Sequence, residues 1–128
     1  MNIVTQFRKA VYAVKPLDSI VSWNKSRNLS TYDATAEDNM IAEELEELSL
    51  ARADNDVDQM VDAYCDLIVL ATGAIHKLGY DPTDAMAETL LEINSRKGFI
   101  NTTTGKWEKD KSQDPSTLYK ANYTTCKY

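Results

Sequence analysis

The chain has 128 residues, of which 43% are hydrophobic and 27% are charged, and its formal net charge at pH 7 is −6. Such a length and composition are typical of one soluble globular domain that buries a genuine core. The negative charge argues against a protein that binds nucleic acid through a basic surface. No apolar run approaches the about 20 residues of a membrane span, and the N-terminus lacks a signal-peptide layout, so we expect a cytoplasmic protein without membrane contact.

The first part of the chain predicts helices separated by a loop. A first helix is predicted from apolar residues at helical spacing, namely Ile3, Phe7, Ala10 and Val14. This helix must end before Pro16, because the residue ahead of a proline avoids the helical region. The stretch from Pro16 to Thr35 permits a short helix around residues 17–21, whereas residues 23–28 are typical of a loop.

Two longer helices are predicted on either side of a short polar link at residues 54–56. The first is expected to begin at an N-cap at Thr35, and its buried stripe consists of Ile41, Leu45, Leu48 and Arg52. The second is expected to begin after an N-cap at Asp56, with Gln59 as its partner, and to end at Gly79. Its apolar stripe consists of Val57, Val61, Tyr64, Ile68, Ala71, Ile75 and Leu78. Because the link is short, the two helices should pack as an antiparallel hairpin.

Four acids border the seam between these two helices. Glu44 and Glu47 are three residues apart, and Asp62 and Asp66 are four apart. Each pair therefore occupies one helix face, with about 5–6 Å between Cβ atoms. Like charges so placed destabilise a helix by about 0.2–0.5 kcal/mol per pair unless a cation lies between them. Two facing pairs of acids therefore predict a cation site between the helices.

A further helix should open with Asp81 at the N-cap and Pro82 at the first helical position. Gly98 should end it, and its buried face is expected to contain Ala85 or Met86, Thr89 or Leu90, and Ile93. Residues 101–106 are turn-like, and the remainder of the chain shows no hydrophobic period. We therefore predict an all-α fold, an antiparallel bundle of four to five helices over residues 1–98. An irregular C-terminal arm over residues 99–128 is expected to belong to the same unit.

Three segments carry a resemblance to a known superfamily: residues 43–48 (EELEEL), residues 61–73 (VDAYCDLIVLATG) and residues 78–82 (LGYDP). They resemble the MazG-like all-α nucleoside triphosphate pyrophosphohydrolases, which include the phosphoribosyl-ATP pyrophosphatases and the dimeric dUTPases. The superfamily signature is an E-x-x-E pair on one helix and an E-x-x-D pair on the next. Glu44 and Glu47 match the first pair, and Asp66 matches the final Asp. Ala63 stands where the other Glu is expected, and Asp62 is the available substitute, in a form that resembles a phage-like branch.

This resemblance implies Mg²⁺-dependent hydrolysis of a (deoxy)nucleoside triphosphate to the monophosphate and pyrophosphate, a reaction of nucleotide-pool housekeeping. Mg²⁺, with Mn²⁺ as a substitute, is expected to bind the four acids of the two pairs: Glu44, Glu47, Asp62 and Asp66. Glu43 is the candidate for the general base or for a residue that supports the metal ligands. Asn94 and Lys97, at the end of the following helix, are expected to bind substrate with help from Arg96. Trp23 and Trp107 are the candidates for stacking on a base.

The resemblance also implies a homo-oligomer, either a homodimer or a homotetramer. The apolar surface that four amphipathic helices leave uncovered favours the same conclusion. The alternative function is a non-catalytic acidic helical protein, an inhibitor or nucleic-acid mimic that binds a basic partner. This alternative explains the charge and the small size. It does not explain why acids are paired on two adjacent helices beside a hydrophobic seam.

Overall fold

The computed structural model of the protein describes residues 2–6 and 15–128. It is mostly helical, which confirms the all-α class. Residues 3–6 are helical, and four further helices follow: α1 (Pro16–Ser26), α2 (Ala34–Ala53), α3 (Val57–Lys77) and α4 (Pro82–Ser95). The rest of the predicted first helix, including Phe7, Ala10 and Val14, lies outside the described residues. None of the described helices has the length and apolar character that crossing a membrane requires.

Helix α1 continues through Ser26, so the loop expected from residue 23 onward was wrong for its first four residues. The sequence did not predict this part of the helix, because its residues are mostly polar. Asn24 is nevertheless buried, and its side-chain amide donates to the Ile20 carbonyl at 3.0 Å. The helix is followed by Asn28, whose φ of 56° lies in the left-handed region. The Leu29 N–H then donates to the Asn24 carbonyl at 2.9 Å, which satisfies one of the orphan carbonyls at the helix end.

Short-range capping explains where α2 and α3 begin. The N-cap of α2 is Asp33, whose carboxylate accepts the backbone N–H three residues on at 3.2 Å. The predicted cap at Thr35 was therefore wrong, and Thr35 lies in the first turn. Asp56 caps α3 as predicted, because its carboxylate accepts the Gln59 N–H at 3.1 Å. Gly79, with φ 92°, follows the end of α3 in the left-handed conformation that a glycine adopts without strain.

Helices α2 and α3 pack as the predicted antiparallel hairpin. Near the turn, Arg52 donates to the Tyr64 hydroxyl at 2.8 Å. Towards the open end, the Lys77 ammonium lies 2.5 Å from the Glu37 carboxylate. Arg52 lies near the end of α2 and Tyr64 in the first half of α3, whereas Glu37 lies near the start of α2 and Lys77 at the end of α3. The two helices therefore run antiparallel. The buried hydrophobic residues of the two helices are Leu48, Ala51 and Ala63.

The apolar stripe of α3 is largely exposed in the single chain. We call it the α3 apolar face, and its large exposed members are Val57, Val61, Tyr64, Ile68 and Leu78, which are 48–64% exposed. The buried residues of α3 are instead Ala63, Thr72, Gly73 and His76. Helix α1 packs closely on this second side, because a Cβ added at Gly73 would lie 3.3 Å from the Asn24 amide nitrogen. Leu45, expected in the buried stripe of α2, is likewise 50% exposed.

The chain divides into two compact units, one of Met1–Pro82 with Tyr128 and the other of Thr83–Lys127. Helix α4 begins at Pro82 as predicted but ends at Ser95, before Gly98. Of its expected buried face, Ala85 is buried, whereas Met86, Leu90 and Ile93 are 40–48% exposed.

The expected irregular arm contains an antiparallel β-hairpin formed by β1 (Gly98–Ile100) and β2 (Trp107–Lys109). Phe99 lies opposite Glu108, and the turn-like residues 101–106 connect the strands. Gly98 belongs to the pairing rather than to a helix end, because a Cβ there would overlap the Glu108 carbonyl and the Trp107 ring. Two short 3₁₀ helices complete the unit, at Pro115–Thr117 and Tyr123–Cys126.

Candidate metal centre

Three of the predicted acids meet across the hairpin of α2 and α3. Glu44 and Glu47 from α2 and Asp66 from α3 each offer a carboxylate oxygen, and these oxygens lie within 4.8 Å of one another. Glu44 and Glu47 are neighbours on one face because they are one helical turn apart. The antiparallel packing then places Asp66 opposite them. No other group of three acids, histidines or cysteines at such short range occurs within residues 2–6 and 15–128.

The acidic group is electrostatically unfavourable on its own. Oxygen Oε2 of Glu44 is buried and has no hydrogen-bond partner. Burial, and then the charges of Asp66 and Glu47, raise the pKa of the Glu44 carboxyl, and a hydrogen bond that protonated Glu44 makes with Glu47 adds to this. Burial, and then the charges of Asp62 and Glu47, raise the pKa of the Asp66 carboxyl. Each of these two acids therefore resists ionising while its neighbours are charged.

The residues present fit a divalent cation. Every donor in the group is a carboxylate oxygen, which is the ligand type that hard cations such as Mg²⁺ and Mn²⁺ prefer. A bound cation would also supply the partner that the buried Oε2 atom of Glu44 lacks. Buried polar atoms in native proteins are nearly always paired, so this orphaned oxygen is itself a sign of a missing ligand.

Asp62 and Glu43 lie beside this group rather than within it. Asp62 is one turn before Asp66 on α3 and is exposed, and its charge contributes to the raised pKa of Asp66. Ala63, where the superfamily signature has Glu, is only 2% exposed. A long acidic side chain there would enter the core of the hairpin, which gives a physical reason for the acid at position 62. Glu43 is exposed on α2. The assignments of Asp62 as a ligand and Glu43 as a base stay predictions.

The predicted substrate-binding residues belong to the second unit. Asn94 is exposed in the last turn of α4, and Arg96 just beyond it lies 3.9 Å from the Glu92 carboxylate. The backbone N–H of Lys97 donates to the Gln113 side chain at 2.8 Å. Arg96 and Lys97 thus make these contacts with residues of their own unit. The role of all three residues in substrate binding stays a prediction.

Two polar residues on the same helix sides as the acids, further towards the open end of the hairpin, were not singled out from the sequence. Glu37 is 3% exposed and forms an ion pair with Lys77, and its Oε2 atom is buried without a hydrogen-bond partner. A signal for Glu37 was available, because it precedes Glu44 by seven residues. That spacing is two helical turns and places both on one face. Lys77 follows Asp66 by eleven residues, which is about three turns on the same side of α3.

The metal-free protein should lose stability, relative to the variant Asp66→Asn, as the pH rises above about 4, the ordinary range of Asp and Glu carboxyls. Both raised carboxyl pKa values, those of Glu44 and Asp66, lie above their unfolded values. At these two carboxyls the folded state therefore binds more protons than the unfolded state, and their contribution to the free energy of unfolding decreases as the pH rises through their folded pKa values. The contribution of these two carboxyls is fully present below their unfolded pKa values.

Comparison with the variant is needed because other acids act in the opposite direction. Hydrogen bonds from Ser112 and Ser116 lower the pKa values of Asp110 and Asp114, so their contributions are lost as the pH falls. Urea denaturation in the presence of a chelator measures both proteins. The stability advantage of Asp66→Asn should grow with pH, and a constant difference would contradict the electrostatic account of the group.

The comparisons with known proteins agree with this geometry. The family model for phosphoribosyl-ATP pyrophosphohydrolase matches residues 21–90, which is more than half of the chain and includes both acidic helices. No curated protein and no solved structure matches the chain. The family match supports a pyrophosphohydrolase-type activity on a nucleotide. The chain therefore belongs to the phosphoribosyl-ATP pyrophosphohydrolase family, within the MazG-like superfamily that its sequence motifs resemble.

Proposed function

We propose that the protein hydrolyses a (deoxy)nucleoside triphosphate between the α- and β-phosphates, in a Mg²⁺-dependent reaction of nucleotide-pool housekeeping. The observation that carries this proposal is the convergence of Glu44, Glu47 and Asp66, whose carboxylate oxygens lie within 4.8 Å of one another. The unpartnered, buried Oε2 atom of Glu44 supports a cation at this place. The family match supports the reaction class.

The acids of the two pairs are assigned to cation binding. Glu44, Glu47 and Asp66 hold the cation, with Asp62 as a further ligand. When bound, Mg²⁺ neutralises phosphate charge and stabilises the negative charge that develops in the transition state. This matters in a chain of net charge −6, which would otherwise repel a triphosphate.

Water is the nucleophile, and Glu43 is the candidate that accepts its proton. The water oxygen bonds to phosphorus, the bridging P–O bond between the α- and β-phosphates breaks, and the proton passes to the carboxylate. Lys97, helped by Arg96, pairs with phosphate oxygens, and Asn94 donates a hydrogen bond to the sugar or a phosphate. Exposure of Glu43 keeps its carboxylate accessible to a water molecule.

A nucleotide panel with Mg²⁺ tests the proposal directly. The common ribo- and deoxyribonucleoside triphosphates are incubated with the protein, and released pyrophosphate is measured. Phosphoribosyl-ATP is included because the matching family is described by that substrate. Protein with a chelator in place of Mg²⁺ is the control for metal dependence. Release of pyrophosphate from none of these nucleotides would favour the acidic binding protein as the alternative.

The products should be pyrophosphate and a nucleoside monophosphate, with no nucleoside diphosphate or orthophosphate at early times. This follows from cleavage at the α–β bridge, which leaves the β–γ anhydride intact. Ion-exchange chromatography of the reaction mixture separates the four species. A diphosphate as the main product would mean that the β–γ bond is cleaved, and the assigned reaction would be wrong.

A further inference from the structure

We propose that a cavity two helical turns along α2 from the acidic group binds the nucleobase of the substrate, and that Glu37, held in place by Lys77, accepts a hydrogen bond from an N–H donor on the edge of that base. The inference rests on the proposed function, because it names the part of the substrate that lies next to the metal centre. It assigns a specificity role to an ion pair that the hydrolytic chemistry does not use.

The cavity has a volume of about 150 Å³ and lies among α1, α2 and α3. Its apolar lining includes Leu29, Met40, Val69 and Leu70, and its polar lining consists of Asn24, Glu37 and Lys77. Pockets that take whole drug-sized ligands have volumes of about 300–1,000 Å³. The smaller volume of this cavity suits one planar ring system. Apolar walls with a few polar groups on one side are the arrangement that binds and orients such a ring.

Glu37 is the group that points to a ligand. It is 3% exposed, and its Oε1 atom accepts from the Lys77 ammonium at 2.5 Å. The other oxygen, Oε2, is buried with no hydrogen-bond partner. A purely structural ion pair at this depth would be expected to have both carboxylate oxygens satisfied, since leaving one unpaired costs free energy. The unpaired oxygen is an acceptor prepared for a donor that the chain does not itself provide.

The position of the cavity relative to the acids fits one nucleotide. Glu37 and Glu44 are seven residues apart on α2, a rise of about 10 Å along one face of the helix. On α3, Gly73 and Lys77 lie beyond Asp66 in the same direction along the hairpin. The sugar and base of a nucleotide can span such a length when its phosphates lie at the acids. The cavity and the metal centre thus lie on the same side of the hairpin within the first unit, at a separation that one nucleotide can bridge.

A second cavity borders the acids on the side of the hairpin turn, and its character is different. It has a volume of about 220 Å³ and is lined by Glu47, Asp54 and Asp56 among others. Three acids in one wall suit cations or water rather than an aromatic ring. The cavity of Glu37 also includes Trp23, which is 47% exposed and carries the Arg27 guanidinium 4.4 Å from its ring centroid. An indole at the edge of an apolar cavity favours a planar ligand.

The hydrogen-bonding groups define what the pocket accepts. A carboxylate can only accept hydrogen bonds. Glu37 therefore favours a base whose edge presents an N–H donor to it and disfavours a base whose edge presents only acceptors. The Lys77 ammonium and the Asn24 amide supply donors for a neighbouring carbonyl or ring nitrogen. Asn24 is anchored by its bond to the Ile20 carbonyl, which fixes the direction of its amide group. Ranking of substrates by base should therefore depend on Glu37.

The test compares kcat/KM across the nucleotide panel for wild type, Glu37→Gln, and the double variant Glu37→Met/Lys77→Met. The double variant replaces the buried ion pair by apolar side chains of similar size, which proteins often tolerate. Glu46→Gln is the matched control, because it removes one acid from the exposed side of the same helix. We expect the ratio between the best and worst bases to shrink at least about tenfold in both Glu37 proteins, since lost hydrogen-bond readout relaxes discrimination. Affinity for inorganic tripolyphosphate with Mg²⁺, measured by calorimetry, should stay at the wild-type value.

Each result decides the inference. If the folded Glu37 variants rank the bases as wild type does, Glu37 does not select the base. The same conclusion follows if their affinity for tripolyphosphate falls as much as their kcat/KM. If wild type hydrolyses no nucleotide, the proposed function fails, and calorimetric binding of free nucleosides then tests the pocket alone. Binding that depends on Glu37 supports it, and no binding overturns it. If neither Glu37 protein folds, calorimetry of the wild type with nucleosides that do and do not present an N–H donor on that edge decides instead. Preference for the N–H donors supports the role of Glu37, and equal affinity overturns it.

Discussion

Replacing Asp66 by Asn should abolish nearly all turnover while leaving the metal-free protein at least as stable as wild type. The substitution keeps the shape of the side chain but removes one charge from the group in which Glu44, Glu47 and Asp66 meet. Less repulsion among these partly buried carboxyls favours the folded state of the metal-free variant. The same change removes a ligand of the cation. Activity and metal-free stability should therefore respond in opposite directions.

The effect of Mg²⁺ on the melting temperature tests whether these acids destabilise the metal-free protein and bind a cation. A cation that binds only the folded site stabilises it by mass action, by ~2.7 kcal/mol at a hundredfold excess over its dissociation constant. Mg²⁺ should thus raise the melting temperature of wild type and raise that of Asp66→Asn much less. The contrasting variant Lys97→Ala should keep the full stabilisation by Mg²⁺ and show a higher KM. Wild type that melts at one temperature with or without millimolar Mg²⁺ would show that these acids form a solvated surface.

Features set by neighbours in the sequence could be predicted from it. The pair spacing of Glu44 with Glu47 placed both on one helix face, and the short link at residues 54–56 brought Asp66 opposite them. The cap at Asp56 and the left-handed Gly79 follow the same local chemistry. These predictions succeeded because each depends on helical geometry over one or two turns and on the chain reversing at once.

Features set by distant packing could not be predicted in this way. A hydrophobic period identifies an apolar side of α3 but does not say which element covers it. Here α1 packs on the side of Gly73, while the α3 apolar face is exposed. Strands β1 and β2 have three residues each, too few for alternation to show. The burial of Glu37 depends on Lys77, forty residues away, and no local pattern predicts that pairing.

The protein should form a homodimer through the α3 apolar face, and Ile68→Glu should convert it to a monomer. Val57, Val61, Tyr64 and Ile68 follow one side of α3, Leu78 lies at its C-cap, and all five are 48–64% exposed. Monomeric soluble proteins rarely expose a contiguous apolar patch of this kind, and a two-fold contact buries the same face on both subunits. A glutamate at the centre of that face would be buried without a partner on each subunit. Sedimentation velocity at micromolar concentration measures the change.

Ile100→Glu is the matched control, because Ile100 is 59% exposed and Ile68 is 55% exposed, and the substitution is the same. It lies on β1 in the second unit, so the control protein should remain a dimer. Circular dichroism should show equal helix content in both variants, which separates loss of assembly from loss of folding. Wild type that sediments as a fully active monomer would refute the interface. A charge outside the α3 apolar face should not disrupt a dimer that forms through that face. If Ile68→Glu and Ile100→Glu dissociate the dimer equally, the dimer contact does not centre on α3.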